Sequence, residues 1–284
     1  MKEMRPAVLA AVALLVSATA MIYAQEYPWS PSPQSQSIAQ RIPPPAGFTR
    51  VPAPSGSFAA WLRNLPLRPG RPPVLLFNGE RKGNQRAHYV VVDVDIGTKD
   101  LQQCADAVIR LRAEYLFSTP CADGISFNFT SGDPALWSKW RAGFRPHVNG
   151  NDVTWRQTTH PNSSYKSFRS YLDSVFTYAG SYSLSRELRP VADPQQVLPG
   201  DVFVQGGFPG HAVIVVDVAA DHDGSRVFLL AQSYMPAQDV HLLVNPNSDL
   251  SPWYRAASSG PLETPQWLFD FGDLRRFSMR DCGP

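Results

Sequence analysis

Apolar positions repeat at intervals of three and four along residues 101–117, where Leu101, Val108, Leu111 and Tyr115 form one stripe, and along residues 164–179, where Phe168, Tyr171, Leu172, Val175 and Phe176 form another. That spacing predicts two amphipathic helices, the first capped by Asp100 with Gln103 three residues on, the second ended by Gly180. A shorter helix is expected after Ser57, with Phe58, Trp61, Leu62 and Leu65 on one face and Pro66 as its stop. Asp133-Pro134 predicts a further helix carrying Leu136, Trp137 and Trp140 and stopping at Gly143.

Elsewhere the pattern shortens to continuous or alternating apolar runs bounded by Gly, Pro and Asp. Residues 74–77, 89–96, 124–130, 202–204, 212–218 and 227–231 are read as strands on this ground. In the 89–96 run the alternation puts Asp93 and Asp95 on one face, which reads as a solvated face. Helices come first and clustered strands afterwards, so the expected fold is α+β with an antiparallel sheet; a doubly wound sheet would alternate the two regularly.

The two ends of the chain differ from this body. Lys2 and Arg5 followed by a short alanine-rich apolar run, with small residues at Ala18, Ala20 and Ala24, predict a signal peptide over residues 1–24 and a periplasmic or extracellular protein. The run is too short for a confident membrane span. Residues 25–56, rich in Pro, Ser and Gln, read as a linker or extended arm, and residues 57–280 as a single α+β domain. A net charge of +2 on 284 residues, with basic residues scattered among acids, argues against nucleic acid as a partner.

The chain has 3 cysteines, Cys104, Cys121 and Cys282, an odd count for an oxidising compartment, so pairing of two leaves one thiol free. Cys104 falls in the first turn of the 101–117 helix. There the helix dipole favours thiolate, and unpaired backbone N–H groups can stabilise an oxyanion. His211 sits where the glycine-rich turn at residues 206–210 enters the 212–218 strand, a position suited to a general base. If the hairpin turns at residues 222–223, His211 lies across from about Tyr234, and Gln232 falls on the same face, able to accept from one ring nitrogen and leave the other free.

The segments Q-Q-C-A-D-A-V, L-P-G-D-V-F-V and G-H-A-V-I-V-V resemble the papain-like superfamily, especially NlpC-type and CHAP-type cell-wall peptidases. The stretch Ala231-Gln232-Ser233-Tyr234 is similar to the Asn-Ser-Trp strand of papain relatives. The resemblance implies a papain-like arrangement of a helical part and a sheet, a thiol hydrolase or transferase acting on an amide bond of a peptide or peptidoglycan-type substrate, and no cofactor. It implies Cys104 as nucleophile, His211 as base and Gln232 as the residue orienting it. Departures stand beside it: Gln102 and Gln103 precede Cys104 where NlpC-type enzymes have Asp, so the oxyanion partner is unassigned. Longer phrases, among them D-L-Q-Q-C-A-D-A-V-I-R-L-R-A-E-Y-L and L-L-A-Q-S-Y-M-P-A-Q, resemble an uncharacterised family of secreted bacterial proteins, which implies a compartment but no activity.

Plainer readings remain for each residue. Cys104 shares its helical stripe with core positions and fits a buried thiol equally well. Asn128 and Trp137, with Ser233 and Tyr234, are candidate substrate-binding residues; Asn128 also fits a helix-capping loop, and Trp137 and Trp140 fit core packing. The other histidines lack metal-ligand spacing, so no metal site is expected. The alternative to an enzyme is an inactive envelope binding or scaffold protein on the same fold, with a groove lined by Trp137, Trp140 and Trp155.

Overall fold

The computed structural model describes residues 27–29 and 31–278. The expected signal peptide at 1–24 lies outside these residues. The fold is α+β, with an antiparallel sheet in the order His88–Val91, His241–Leu243, Arg226–Gln232, His211–Ala220, Val202–Gln205, Leu274–Arg276 and Arg189–Pro190. Two short strands extend it: Tyr254–Arg255 pairs with Arg226–Gln232, and Thr49–Arg50 with the far end of His211–Ala220. Among the described residues no helix is long and apolar enough to cross a membrane.

The sheet is buried on both faces, which is why its central strands read as unbroken apolar runs. Ala212, Ile214 and Val216 join the core shared with the helix Cys104–Phe117, whereas Val213, Val215 and Val218 join a second core closed by Phe269, Phe271 and Leu274. A bulge between Val215 and Asp217 resets the alternation. It leaves Asp217 wholly buried and held by Arg50 Nε at 2.6 Å and Arg63 Nε at 2.7 Å. In the Pro-Gly-Asp segment, Asp201 accepts from Leu198 N–H and from both Arg276 Nε at 2.6 Å and Nη2 at 2.7 Å, pinning the entry to the strand Val202–Gln205.

The helix Cys104–Phe117 starts three residues later than its sequence pattern predicts. The carboxylate that caps it is Asp106, whose Oδ2 accepts from Gln103 N–H at 3.0 Å, while Asp100 accepts from Ala237 N–H at 2.7 Å and so ties the preceding loop to a distant one. Cys104 is therefore the first helical residue. Arg110, fully buried on this helix, donates to Glu114 Oε1 at 2.6 Å, to Gln102 Oε1 at 2.9 Å and to Asp95 O at 3.1 Å. One guanidinium thus joins the helix interior to the loop that delivers Cys104.

Several local expectations are corrected. Pro134 does not open a helix: Pro134–Leu136 is a strand paired with Ser126–Asn128, and the helix is Trp137–Arg141. The Asp133 carbonyl accepts from Phe129 N–H, so this segment closes a hairpin turn, with Gly132 at φ 94. Residues 74–77 form only isolated bridges, and the strand expected at 89–96 is His88–Val91. Asp93 and Asp95 form a face that is only partly solvated: Asp93 accepts from Ser32 N–H and Ser35 Oγ, while Asp95 is exposed and pairs with Arg110 and Arg169. The proline-rich stretch runs along the domain as an arm and enters its core, since Ile38 and Ile42 are buried and Thr49–Arg50 joins the sheet. A helix over Ser181–Glu187, masked in sequence by its serines, follows Gly180 directly.

Candidate active site

The strand His211–Ala220 and the helix Cys104–Phe117 pack together. Backbone N–H groups of Ala105, Ala212 and Cys104 itself lie near enough to the Cys104 sulfur to favour its anion. Ala212 N–H belongs to the peptide bond that carries His211, so the sulfur lies beside the start of that strand. Cys104 carries a free thiol, and Cys121 is disulfide-bonded. Cys282 lies outside the described residues.

His211 is buried, with Nε2 at 2.9 Å from Gln232 Oε1. The hairpin register explains the contact: Ile214 pairs with Ala231 and Val215 with Leu230, so continuing that register puts His211 level with Tyr234, whose ring centroid is 4.8 Å away. Trp267 and Phe269, at 5.2 and 5.7 Å, complete an aromatic cage around the imidazole.

Behind Gln232 the hydrogen bonds select one tautomer. His241 faces Gln232 across the sheet, and its Nδ1 must donate to the Asp239 carbonyl at 2.8 Å, because a carbonyl only accepts. His241 Nε2 is then an acceptor, for Lys82 Nζ at 3.3 Å and Gln232 Nε2 at 3.4 Å. Gln232 Nε2 also donates to Gln266 Oε1 at 3.0 Å, and Lys82 Nζ donates to the same oxygen. The Gln232 amide is thereby oriented with its oxygen toward His211. His211 Nε2 must carry the proton, leaving Nδ1 with the lone pair a general base requires.

The electrostatics run opposite to the expected helix-terminus thiolate. Burial, then the neighbouring Asp106 carboxylate, push the Cys104 thiol up to about 11, against the backbone N–H groups that favour the anion. Burial, with Lys82 adding to it, pushes His211 down to about 4, and Lys82 itself falls to about 8 through burial. The resting pair is neutral thiol and neutral imidazole. Alkylation of Cys104 by iodoacetamide is therefore expected to accelerate roughly tenfold per pH unit from pH 7 toward 11, since the thiolate is the nucleophile. A plateau reached below pH 8 in stopped-time labelling would contradict that assignment.

Cys104 opens on a cleft of about 250 Å³ whose walls include Gly180, Ser181 and the turn carrying Phe208, with Met235 at the opposite lip. Phe208 and Met235 are exposed at 88% and 66%, an apolar rim beside the sulfur. A Cβ at Gly210 would meet the Gln205 and Gly207 carbonyl oxygens at 2.7 Å, as well as Ser181 Oγ, which makes a side chain at this wall untenable.

Of the candidate substrate-binding residues, only Tyr234 is at this site. Trp137 is 1% exposed and packs on Phe117, Phe168 and Tyr171, so its area is spent in the core and it is corrected to a packing residue. Trp140 is likewise buried, donating to Ser167 Oγ, so the tryptophan groove is not formed. Asn128 lies in a hairpin strand with its N–H donated to Glu187. Ser233 is buried, its hydroxyl within 3.0 Å of Gln102 O and 2.7 Å of Gln238 O, which tethers the loop before Cys104 to the sheet.

A family model covers residues 38–276, spanning the sheet, the helix Cys104–Phe117 and every residue of the site. The chain belongs to the family described as Domain of unknown function (4846). No match was found among curated proteins or among solved structures. Within the matched span, Lys82, His241, Gln266 and Asp106 are the site residues that sequence reading misses. Only His241 leaves a trace, as a polar residue inside an apolar run, and residues 233–240 that bring it opposite Gln232 carry no hairpin signature. Among the described residues no group of three or more His, Cys, Asp or Glu side chains is arranged to hold a metal ion.

Proposed function

We propose that this protein is an exported thiol hydrolase or transferase of papain-like, NlpC-type arrangement that acts on an amide bond, with a peptide of the cell wall as substrate. The observation that carries the reading is the hydrogen bond Gln232–His211 at the start of the strand whose next peptide N–H, that of Ala212, lies near the Cys104 sulfur. Cys104 attacks the carbonyl, His211 Nδ1 takes the thiol proton and returns it to the leaving amine, and Gln232 holds the ring. The N–H groups of Cys104 and Ala105, left unpaired by the helix start, face the forming oxyanion. Because the resting pair is neutral, proton transfer accompanies attack on bound substrate. The charged leader and the disulfide at Cys121 support export to a periplasmic or extracellular compartment.

A second reading, a binding or scaffold protein of the envelope, is favoured by the raised thiol of Cys104. Purified peptidoglycan stem peptides separate the two. New primary amine, detected by mass spectrometry with the parent protein and absent with Cys104→Ala, is the result expected of the enzyme; retention of the peptide by both proteins without new amine is the result expected of the scaffold.

A further inference from the structure

Asp106 has one unspent acceptor at the site. It lines the same cleft as Cys104 and is 6% exposed; its Oδ2 accepts from Gln103 N–H at 3.0 Å, while its Oδ1, buried, has no hydrogen-bond partner. The other carboxylate of the cleft, Asp100, is satisfied by Ala237 N–H at 2.7 Å and Gln103 Nε2 at 3.1 Å. Among the described residues no Lys, Arg or His lines this cleft. Burial without a counter-ion pushes the Asp106 carboxyl well above its ordinary range, and a cation bound beside it restores the carboxylate.

We propose that Asp106 is the recognition point for an ammonium group on the substrate, carried close to the carbonyl that Cys104 attacks. This deepens the enzyme reading above and rests on it for the word substrate. An organic ammonium suits the cleft better than a hydrated metal ion, because Phe176, Phe208 and Met235 offer apolar surface to its carbon frame and no water-replacing oxygens.

Matched thiol reagents test the proposal without the substrate. Cys104 is labelled at low salt with aminoethyl, methyl and sulfonatoethyl methanethiosulfonate, each rate divided by that for free 2-mercaptoethanol. The cationic reagent is expected to lead the anionic one by about 10-fold or more, as a unit charge a few ångströms away dictates in a partly dry cleft. In Asp106→Asn, which keeps an acceptor for Gln103 N–H, the ratio should fall toward one; in Asp100→Asn it should persist. Should Asp106→Asn fail to fold, protection of the wild-type thiol against the methyl reagent by n-butylammonium, and not by butyrate, supports the proposal. Equal ratios in wild type and Asp106→Asn, or equal protection by both ions, overturn it. The enzyme reading fails separately: an undiminished charge preference with no amide turnover would keep the ammonium site and remove the catalysis.

Discussion

His211→Ala is expected to lower amide turnover by about 10²–10⁴-fold, measured at a temperature where the variant remains folded. The loss follows from the tautomer that the Gln232 network selects: with Nε2 committed to Gln232 Oε1, the imidazole has one basic nitrogen to offer, and alanine offers none. His211→Gln provides the control, since an amide can keep the polar contact with Gln232 but is no base. Turnover measured as released amine should be as low in the glutamine variant as in the alanine variant. Retention of more than about a tenth of parental turnover by either would exclude His211 as the general base.

Arg110→Met is expected to destabilise the protein by about 3–5 kcal/mol, the cost of leaving a buried partner charge unpaired. Arg110 and Glu114 are both fully buried and bonded at 2.6 Å, and burial pushes the Glu114 carboxyl up even with its cation beside it. Urea unfolding measures the effect, and Arg110→Met combined with Glu114→Leu should recover most of it, because an apolar pair of similar volume removes both charges together. A single variant within about 1 kcal/mol of the parent would show that the pair is not charged in the folded state. The substitution also frees Gln102, so the Cys104 labelling rate should change even in conditions where the fold persists.

What the sequence discloses of this protein depends on how local the determining interaction is. The helices over 104–117 and 165–178 are legible because apolar stripes and capping residues lie within a few positions of one another. The start of the first is misread because two aspartates compete for the cap, and Asp100 is drawn away by Ala237, a residue more than a hundred positions distant. His211 and Gln232 can be matched from sequence to within a residue since the turn between their strands is tight and polar; the bulge between Val215 and Asp217 is what sets His211 level with Tyr234. Lys82, His241 and Gln266 reach the same cluster from separate loops and strands, so no local spacing relates them. Trp137 illustrates the converse error: an aromatic that could serve a ligand is claimed by Phe117 and Phe168 once the helices pack.

The proline-rich arm has a bearing on solubility that its composition conceals. The strand His211–Ala220 is longer than its neighbour Val202–Gln205, so its last residues extend past that partner, and there Ala219 and Ala220 pair with Arg50 and Thr49 of the arm. A bare, Val-rich strand edge is a template for pairing with another chain. The arm occupies that template intramolecularly, and the buried Asp217, anchored to Arg50 and Arg63, places a charge beneath it that an intruding apolar strand would strand without a counter-ion. The segment that looks like a tether is thus also a guard against self-association.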